Sequence, residues 1–164
     1  MILLCDADSW LYKIAFRNAG GLPEEAISEL DFYIGSLIGK FNPYEMYLWI
    51  TPDTSIRKDR YTDYKEGRPE RPEYHAILRE HIVKQHGAMY AEEGLEADDI
   101  LAIDARVYDK DDSDFMIVSI DKDLNTVPGW HYNPEKDVRY WVSPEDAYMF
   151  LMCQMVMGDT SDRS

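Results

Sequence analysis

The sequence predicts an α/β fold with a mostly parallel central sheet and helices on both faces, and three observations carry that prediction. Short apolar runs alternate with segments of helical periodicity from end to end, the order produced by strand–helix–strand units with right-handed crossovers. Four of the runs lead to acidic residues: residues 1–5 to Asp6, 45–51 to Asp53, 88–91 to Glu96, Asp98 and Asp99, and 115–120 to Asp121 and Asp123. Parallel strands place their carboxyl ends on one edge of the sheet, where open α/β sheets hold ligands, so these acids are expected to share a site. Finally, 164 residues with 45% apolar content are enough for one core of ordinary size, which predicts a single domain over 1–164.

Each element has its own signal. Residues 1–5 read as a buried strand, and 9–17 as a helix with Leu11, Ile14 and Ala15 on one face. Gly20-Gly21 breaks the pattern, Pro23 suits a first helical turn, and Ile27, Leu30, Ile34, Leu37, Ile38 and Phe41 mark a second helix at 3.6-residue spacing. Residues 47–50 form the next strand. Tyr74, Leu78 and Ile82 stripe a helix that Gly87 closes, because glycine tolerates the left-handed C-terminal position. Its remaining surface carries His75, His81 and His86, which have no metal-ligand companions nearby in sequence and are expected to play helix-face roles. A helix over 97–108, a charged turn over 109–114 and a strand over 115–120 follow. Ser143-Pro144-Glu145-Asp146 then resembles a capping box that opens a helix to about residue 157.

Composition excludes several classes. No apolar run approaches the roughly 20 residues of a membrane span, and the N-terminus lacks the basic start and small-residue cleavage site of a signal peptide, so a cytoplasmic location is expected. Cys5 and Cys153 fit no zinc spacing and are expected to be reduced, small core residues. A net charge of −15 argues at first against a polyanionic partner. Residues 57–86, however, hold eight Lys/Arg against six Asp/Glu. Carboxylates gathered for metal make an enzyme look acidic while the bound ions reverse the local field, so net charge does not exclude DNA or RNA.

Any one of these acids can cap a helix or face water. Three acids within positions 96–99 exceed what one cap needs, and carboxylates converging without matching cations repel strongly. Together they point to bound divalent ions of the magnesium type. Two neighbouring ions can orient a water, lower its pKa and stabilise both the attacking and leaving oxygens of a displacement at phosphorus. Asp6, Asp53, Glu96 and Asp98 can hold the first ion; Asp121, Asp123 and Asp162 can hold the second, with Asp99 and Asp159 beside them. Asp8 is expected to cap a helix rather than bind metal. Residues 57–72 are polar and basic, suited to a mobile loop or arch over the strand ends. There Lys65 and Arg68 can clamp a scissile phosphate and Tyr64 can stack on a base, with Arg57, Arg60 and Lys13 as further substrate contacts.

Five segments in this order resemble the flap-endonuclease and 5′→3′ exonuclease family, whose nuclease domain is PIN-like and occurs in phage exonucleases and in bacterial DNA polymerase I. They are Leu3-Leu4-Cys5-Asp6-Ala7-Asp8-Ser9-Trp10; Asp53 with Asp63-Tyr64-Lys65-Glu66-Gly67-Arg68; Gly94-Leu95-Glu96-Ala97-Asp98-Asp99; Ile117-Val118-Ser119-Ile120-Asp121-Lys122-Asp123; and Gly158-Asp159-Thr160-Ser161-Asp162. The resemblance implies a Mg2+-dependent nuclease, with Mn2+ as a substitute, that cuts DNA at 5′ ends, flaps or junctions. Its first metal cluster maps to Asp6, Asp53, Glu96 and Asp98, and its second to Asp121, Asp123 and Asp162, with Asp99 and Asp159 lining the site. Lys65 and Arg68 match the family's basic arch pair and Tyr64 its stacking aromatic. In relatives the last segment runs on into a helical module that grips duplex DNA, whereas this sequence stops at Arg163-Ser164. The expectation is therefore a nuclease lacking that module, or one whose partner chain supplies the grip.

Two alternatives remain at this stage. Asp6-Ala7-Asp8, Ser119 and the Gly158–Asp162 segment also resemble a haloacid-dehalogenase-like phosphatase, although that reading expects a strand before Gly158 and gives no role to residues 96–99 or 64–68. The other is a structure-specific nucleic-acid-binding remnant that keeps the metal site without cleaving.

Overall fold

In chain order the elements are β1 (Ile2–Asp6), α1 (Asp8–Arg17), α2 (Pro23–Phe41), β2 (Glu45–Ile50), α3 (His75–His86), β3 (Met89–Tyr90), α4 (Ala97–Lys110), β4 (Phe115–Val118), a 3-10 turn (Lys122–Thr126), β5 (Gly129–Asn133), β6 (Val138–Val142) and α5 (Pro144–Met157). The computed structural model describes residues 1–52 and 71–157. One sheet runs in the order β3-β2-β1-β4-β5-β6. Every neighbouring pair is parallel except β5–β6, so the first five strands end on a common edge. Asp6, the last residue of β1, lies opposite Trp49 of β2, and Cys5 opposite Val118 of β4.

Side chains alternate across β1 and β4 and so feed two cores, as the two-residue period of a strand requires. Leu3, Cys5, Met116 and Val118 pack with Trp10, Ile14, Leu30, Ile34, Leu78 and Ile82 of α1, α2 and α3. On the other face, Leu4 and Ile117 pack with Leu101 and Ala105 of α4 and with Leu124. The central strands β1 and β4 are buried on both faces, which is why they read as continuous apolar runs.

The helix signals behave as the sequence expects. Pro23 occupies the first turn of α2; Gly87 closes α3 at φ 69°; and the Ser143 hydroxyl accepts the Asp146 N–H at 3.0 Å to cap α5. Two expectations need correction, those for His75 and Cys153, and one pair of strands has no counterpart in the sequence reading. Residues 129–142 form an antiparallel hairpin that carries no clear alternation in sequence. Trp130 and Trp141 face one another across it, with ring centroids 5.4 Å apart, and His131 is buried beneath, bonded to the Val127 carbonyl. His75 is not on the surface of α3: it is buried against Tyr12, with ring centroids 4.6 Å apart. Cys5 is a core residue as expected, whereas Cys153 is exposed. Among the described residues no helix is long and apolar enough to cross a membrane.

Gly129 marks where the chain turns into β5. Its φ is +127°, a conformation that side chains avoid, and an added Cβ would lie 3.1 Å from Phe115 Cζ. Gly129→Ala is expected to destabilise the fold by about 1–3 kcal/mol, read as a lowered urea midpoint with an unchanged slope.

Candidate active site

Asp6 is the only acid within β1, and it is 5% exposed. Its Oδ1 accepts the Asp8 N–H at 3.2 Å, and its Oδ2 accepts the Ser119 hydroxyl at 3.3 Å. Ser119 directly follows β4, and its Oγ in turn accepts the Asp121 N–H at 2.9 Å. Asp121 Oδ1 caps the 3-10 turn by accepting the Asp123 N–H at 2.9 Å. From α5, Gln154 donates to Asp123 Oδ1 at 2.8 Å. One chain of hydrogen bonds thus runs from the acid of β1 through the acids beyond β4 to the last helix.

The acids at the start of α4 divide their roles. Glu96 is the N-cap: its side chain accepts the Asp99 N–H, and Asp99 Oδ2 accepts the Glu96 N–H at 2.9 Å, a reciprocal capping box. Asp98 takes no part in that box and is close enough to raise the pKa of Asp6. A reciprocal cap and an acid that acts on Asp6 are therefore both present within four residues.

Asp8 does not fill the N-cap position expected for it. Ala7 occupies that position without a side-chain cap. The Asp8 carboxylate instead reaches β2's end, where it accepts the Thr51 N–H at 2.9 Å and the Thr51 hydroxyl. Thr51 Oγ1 also accepts the Ala97 N–H at 2.9 Å. Thr51 therefore ties the start of α1, the end of β2 and the N-terminus of α4 into one half-buried junction. Sequence reading passed over Thr51, Ser119 as a linker, and Gln154. The available signals were a polar residue at the end of an apolar strand and a lone amide in an apolar helix.

Burial pushes the Asp6 carboxyl well above the ordinary carboxylate range, and the charges of Asp8, Asp98 and Asp121 push it further, against the lowering effect of the Asp8 N–H. Acids from three separate chain segments thus act on one buried carboxyl at the carboxyl edge of the sheet. Their donors are all hard carboxylate oxygens, the set that suits Mg2+ or Mn2+, and a divalent ion would relieve the repulsion. Among the described residues these acids do not bring three ligand atoms within 4.8 Å of one another; Asp31, His81 and His86 do. Lys13, an expected substrate contact, is ion-paired with Glu135. Asp53, Arg57, Arg60, Tyr64, Lys65, Arg68, Asp159 and Asp162 lie outside the described residues.

The segment before Gly158 is the helix α5, running through Met157, not the strand that a haloacid-dehalogenase-like phosphatase places there. The family described as 5′-3′ exonuclease, N-terminal resolvase-like domain, matches residues 1–133. The chain belongs to the 5′–3′ exonuclease family. It is 32% identical to DNA polymerase I of Streptococcus pneumoniae, over 90% of this chain and 19% of that protein. It is 31% identical to a 5′-3′ exonuclease of Aquifex aeolicus, over 75% of this chain and 46% of that protein. A flap endonuclease of Shewanella baltica is 36% identical over 51% of this chain and 33% of its own length. The chain spans less than half the length of these relatives.

Among solved structures, the bacteriophage T5 flap endonuclease in a pseudo-enzyme-product complex with DNA and metal ions matches with a TM-score of 0.68. The identity is 18%, and the match covers 99% of this chain and 68% of that one. The T5 5′-exonuclease with bound zinc matches with a TM-score of 0.69 at 17% identity, with the same coverage. At that identity the likeness concerns the fold, an α/β sheet flanked by helices.

Proposed function

We propose that this member of the 5′–3′ exonuclease family is a divalent-metal-dependent nuclease that hydrolyses DNA phosphodiester bonds at 5′ ends, flaps or junctions. The observation that carries the proposal is the convergence of Asp8, Asp98 and Asp121 on the buried carboxyl of Asp6, at the sheet edge where ligands of this fold class bind. The names of the relatives, a 5′-3′ exonuclease and a flap endonuclease, support the same reaction. We further propose that the fold is PIN-like, that residues 1–164 form one domain, and that 57–72 form an arch within it.

Asp6, Asp53, Glu96 and Asp98 are the proposed ligands of one Mg2+, with Asp121, Asp123 and Asp162 for a second and Asp99 and Asp159 alongside. Such ions supply an activated water and stabilise the charge that develops on the phosphate oxygens. The chain's own contribution is positional. Ser119 and the Asp8 N–H fix the orientation of Asp6, the capping box fixes the start of α4, and Gln154 holds Asp123. Lys65 and Arg68 are proposed to clamp the scissile phosphate, Tyr64 to stack on a base, and Arg57, Arg60 and Lys13 to neutralise neighbouring phosphates, Lys13 exchanging Glu135 for DNA.

A partner polypeptide that supplies the grip on duplex DNA is also proposed. The surface that suits it is α5, which leaves Met149, Met155, Val156 and Met157 exposed, an apolar patch that favours contact. The setting proposed is the cytoplasm of a bacterial or phage-infected cell.

The test is cleavage of 5′-labelled flap, blunt duplex, single-stranded and RNA·DNA substrates in Mg2+, beside an Asp98→Asn control. The expected result is a product ladder on a DNA substrate that the control lacks. Identical background in every lane overturns the proposal, and flap binding in Ca2+ without cleavage in Mg2+ or Mn2+ identifies a binding remnant instead.

A further inference from the structure

We propose that Asp31, His81 and His86 form a separate binding site for a borderline transition ion of the Zn2+ class, which clamps α2 to α3. The ligand atoms are already gathered. His81 Nε2 lies 2.7 Å and His86 Nε2 2.6 Å from the same oxygen, Asp31 Oδ1, and the three atoms lie within 4.8 Å of one another. The rings are set at 69° with centroids 5.6 Å apart, so both nitrogens address one point without stacking. The imidazoles are largely covered, at 19% and 22% exposure, while Asp31 at 46% leaves an open side. That is three protein ligands with room for water as the fourth, the count of an open tetrahedral zinc site.

Donor chemistry separates this site from the strand-end acids. Two imidazole nitrogens and one carboxylate suit Zn2+, Co2+, Ni2+ or Cu2+, whereas Mg2+ prefers oxygen alone. Position separates them as well. His86 is the last residue of α3 and precedes β3, which runs parallel to β2 and β1, so it stands at the amino edge of the sheet; Asp6 ends β1 at the carboxyl edge. In the ion-free protein both histidines direct Nε2 at Asp31 as hydrogen-bond partners. Binding replaces those protons with the ion and opens the ligand atoms to about 3.3 Å, the spacing set by bonds of about 2.0–2.1 Å. Asp31 comes from α2 and the histidines from α3, so the bond network joins two helices that also share apolar packing through Leu30, Ile34, Leu78 and Ile82.

The experiment is calorimetric titration of Zn2+ into the chelator-stripped full chain, in a Cys153→Ser background and in excess Mg2+, with Co2+ absorption as a second readout. One ion is expected to bind, with tetrahedral Co2+ bands and a Zn2+-dependent rise in Tm. The His81→Gln/His86→Gln variant is expected to lose the bands and the Tm rise, and Asp31→Asn to bind at least about tenfold more weakly, while Mg2+-dependent cleavage persists. If the double variant fails to fold, His86→Gln alone, at the helix end, is expected to weaken binding by a similar factor. Absence of Zn2+ binding in excess Mg2+, undiminished binding in the folded histidine variants, or loss of binding in Asp6→Asn overturns the site.

Discussion

Asp6→Asn is expected to reduce DNA cleavage by about three orders of magnitude or more and, in the same protein, to raise the thermal midpoint of the metal-free form at neutral pH. The first effect follows from removing a proposed metal ligand, because metal stabilisation of the transition state is worth several kcal/mol and each 1.36 kcal/mol is about tenfold in rate. The second follows from the raised pKa of Asp6, caused first by burial and then by Asp8, Asp98 and Asp121. The folded state binds the Asp6 proton more tightly than the unfolded state does. Its contribution to stability is therefore full below the unfolded value, near 3.9, and is lost as pH rises through the folded one. As pH rises, the ion-free protein must either hold a buried, crowded charge at Asp6 or take up a proton to avoid it, and both are costs that the unfolded chain does not carry. Asparagine keeps the size and the acceptor for the Asp8 N–H while removing that charge, a function-for-stability exchange common at active sites. Mg2+ is expected to raise the Tm of the wild type and to raise that of the variant much less. Calorimetry with EDTA and with Mg2+, at about pH 4 and about pH 8, compares a pH near the unfolded value with one well above it. A variant that keeps the full Mg2+ stabilisation, or is less stable than wild type in EDTA at the higher pH, contradicts this assignment.

The elements legible in the sequence are those whose signals are local. Apolar runs flanked by polar turns marked β1, β2 and β4, and the 3.6-residue stripe of Leu30, Ile34 and Leu37 marked α2. Pro23, Gly87 and Ser143 marked helix ends because each acts on its own turn. The hairpin of β5 and β6 was not legible. Its stability rests on pairs such as Trp130–Trp141 and His131–Tyr140, which unite residues with no alternating pattern of their own. In the candidate site the convergence of acids on one edge was legible because parallel topology dictates it. The division of labour was not. Whether Glu96, Asp98 or Asp99 caps α4 depends on the backbone at the N-cap, extended here at φ −100° and ψ 167°. The roles of Asp8 and Asp31 were hidden for a different reason: their partners are Thr51, 43 residues away, and His81 and His86, 50 and 55 residues away.

Thr51→Val is expected to destabilise the protein by about 3 kcal/mol and to lower kcat by about 10–100-fold, although Thr51 is not itself a proposed metal ligand. Valine keeps the branched shape, and the backbone N–H of residue 51 still donates to Asp8 Oδ1. What disappears is a hydroxyl that donates to Asp8 Oδ2 and accepts from the Ala97 N–H. Ala97 is fully buried, so its N–H loses its acceptor where water does not reach, at a cost of about 1–3 kcal/mol; the bond to a charged acceptor is worth about 1.5–3 more before relaxation. The activity loss has a geometric origin. Ala97 is the first residue of α4, between the N-cap Glu96 and the inward acid Asp98, so releasing it lets both carboxylates drift. Misplacement by about 1 Å can reduce rate about a hundredfold. The predicted loss falls on kcat and on apparent Mg2+ affinity, with KM for DNA little changed, because the proposed phosphate contacts lie on other segments. Thr51→Ser restores the hydroxyl at the same backbone position and is expected to recover most of both effects. That rescue separates the hydrogen-bonding role from packing: a serine variant as impaired as valine would place the effect in the lost methyl group, and a valine variant with the wild-type urea midpoint and kcat would remove the junction from the active-site scaffold.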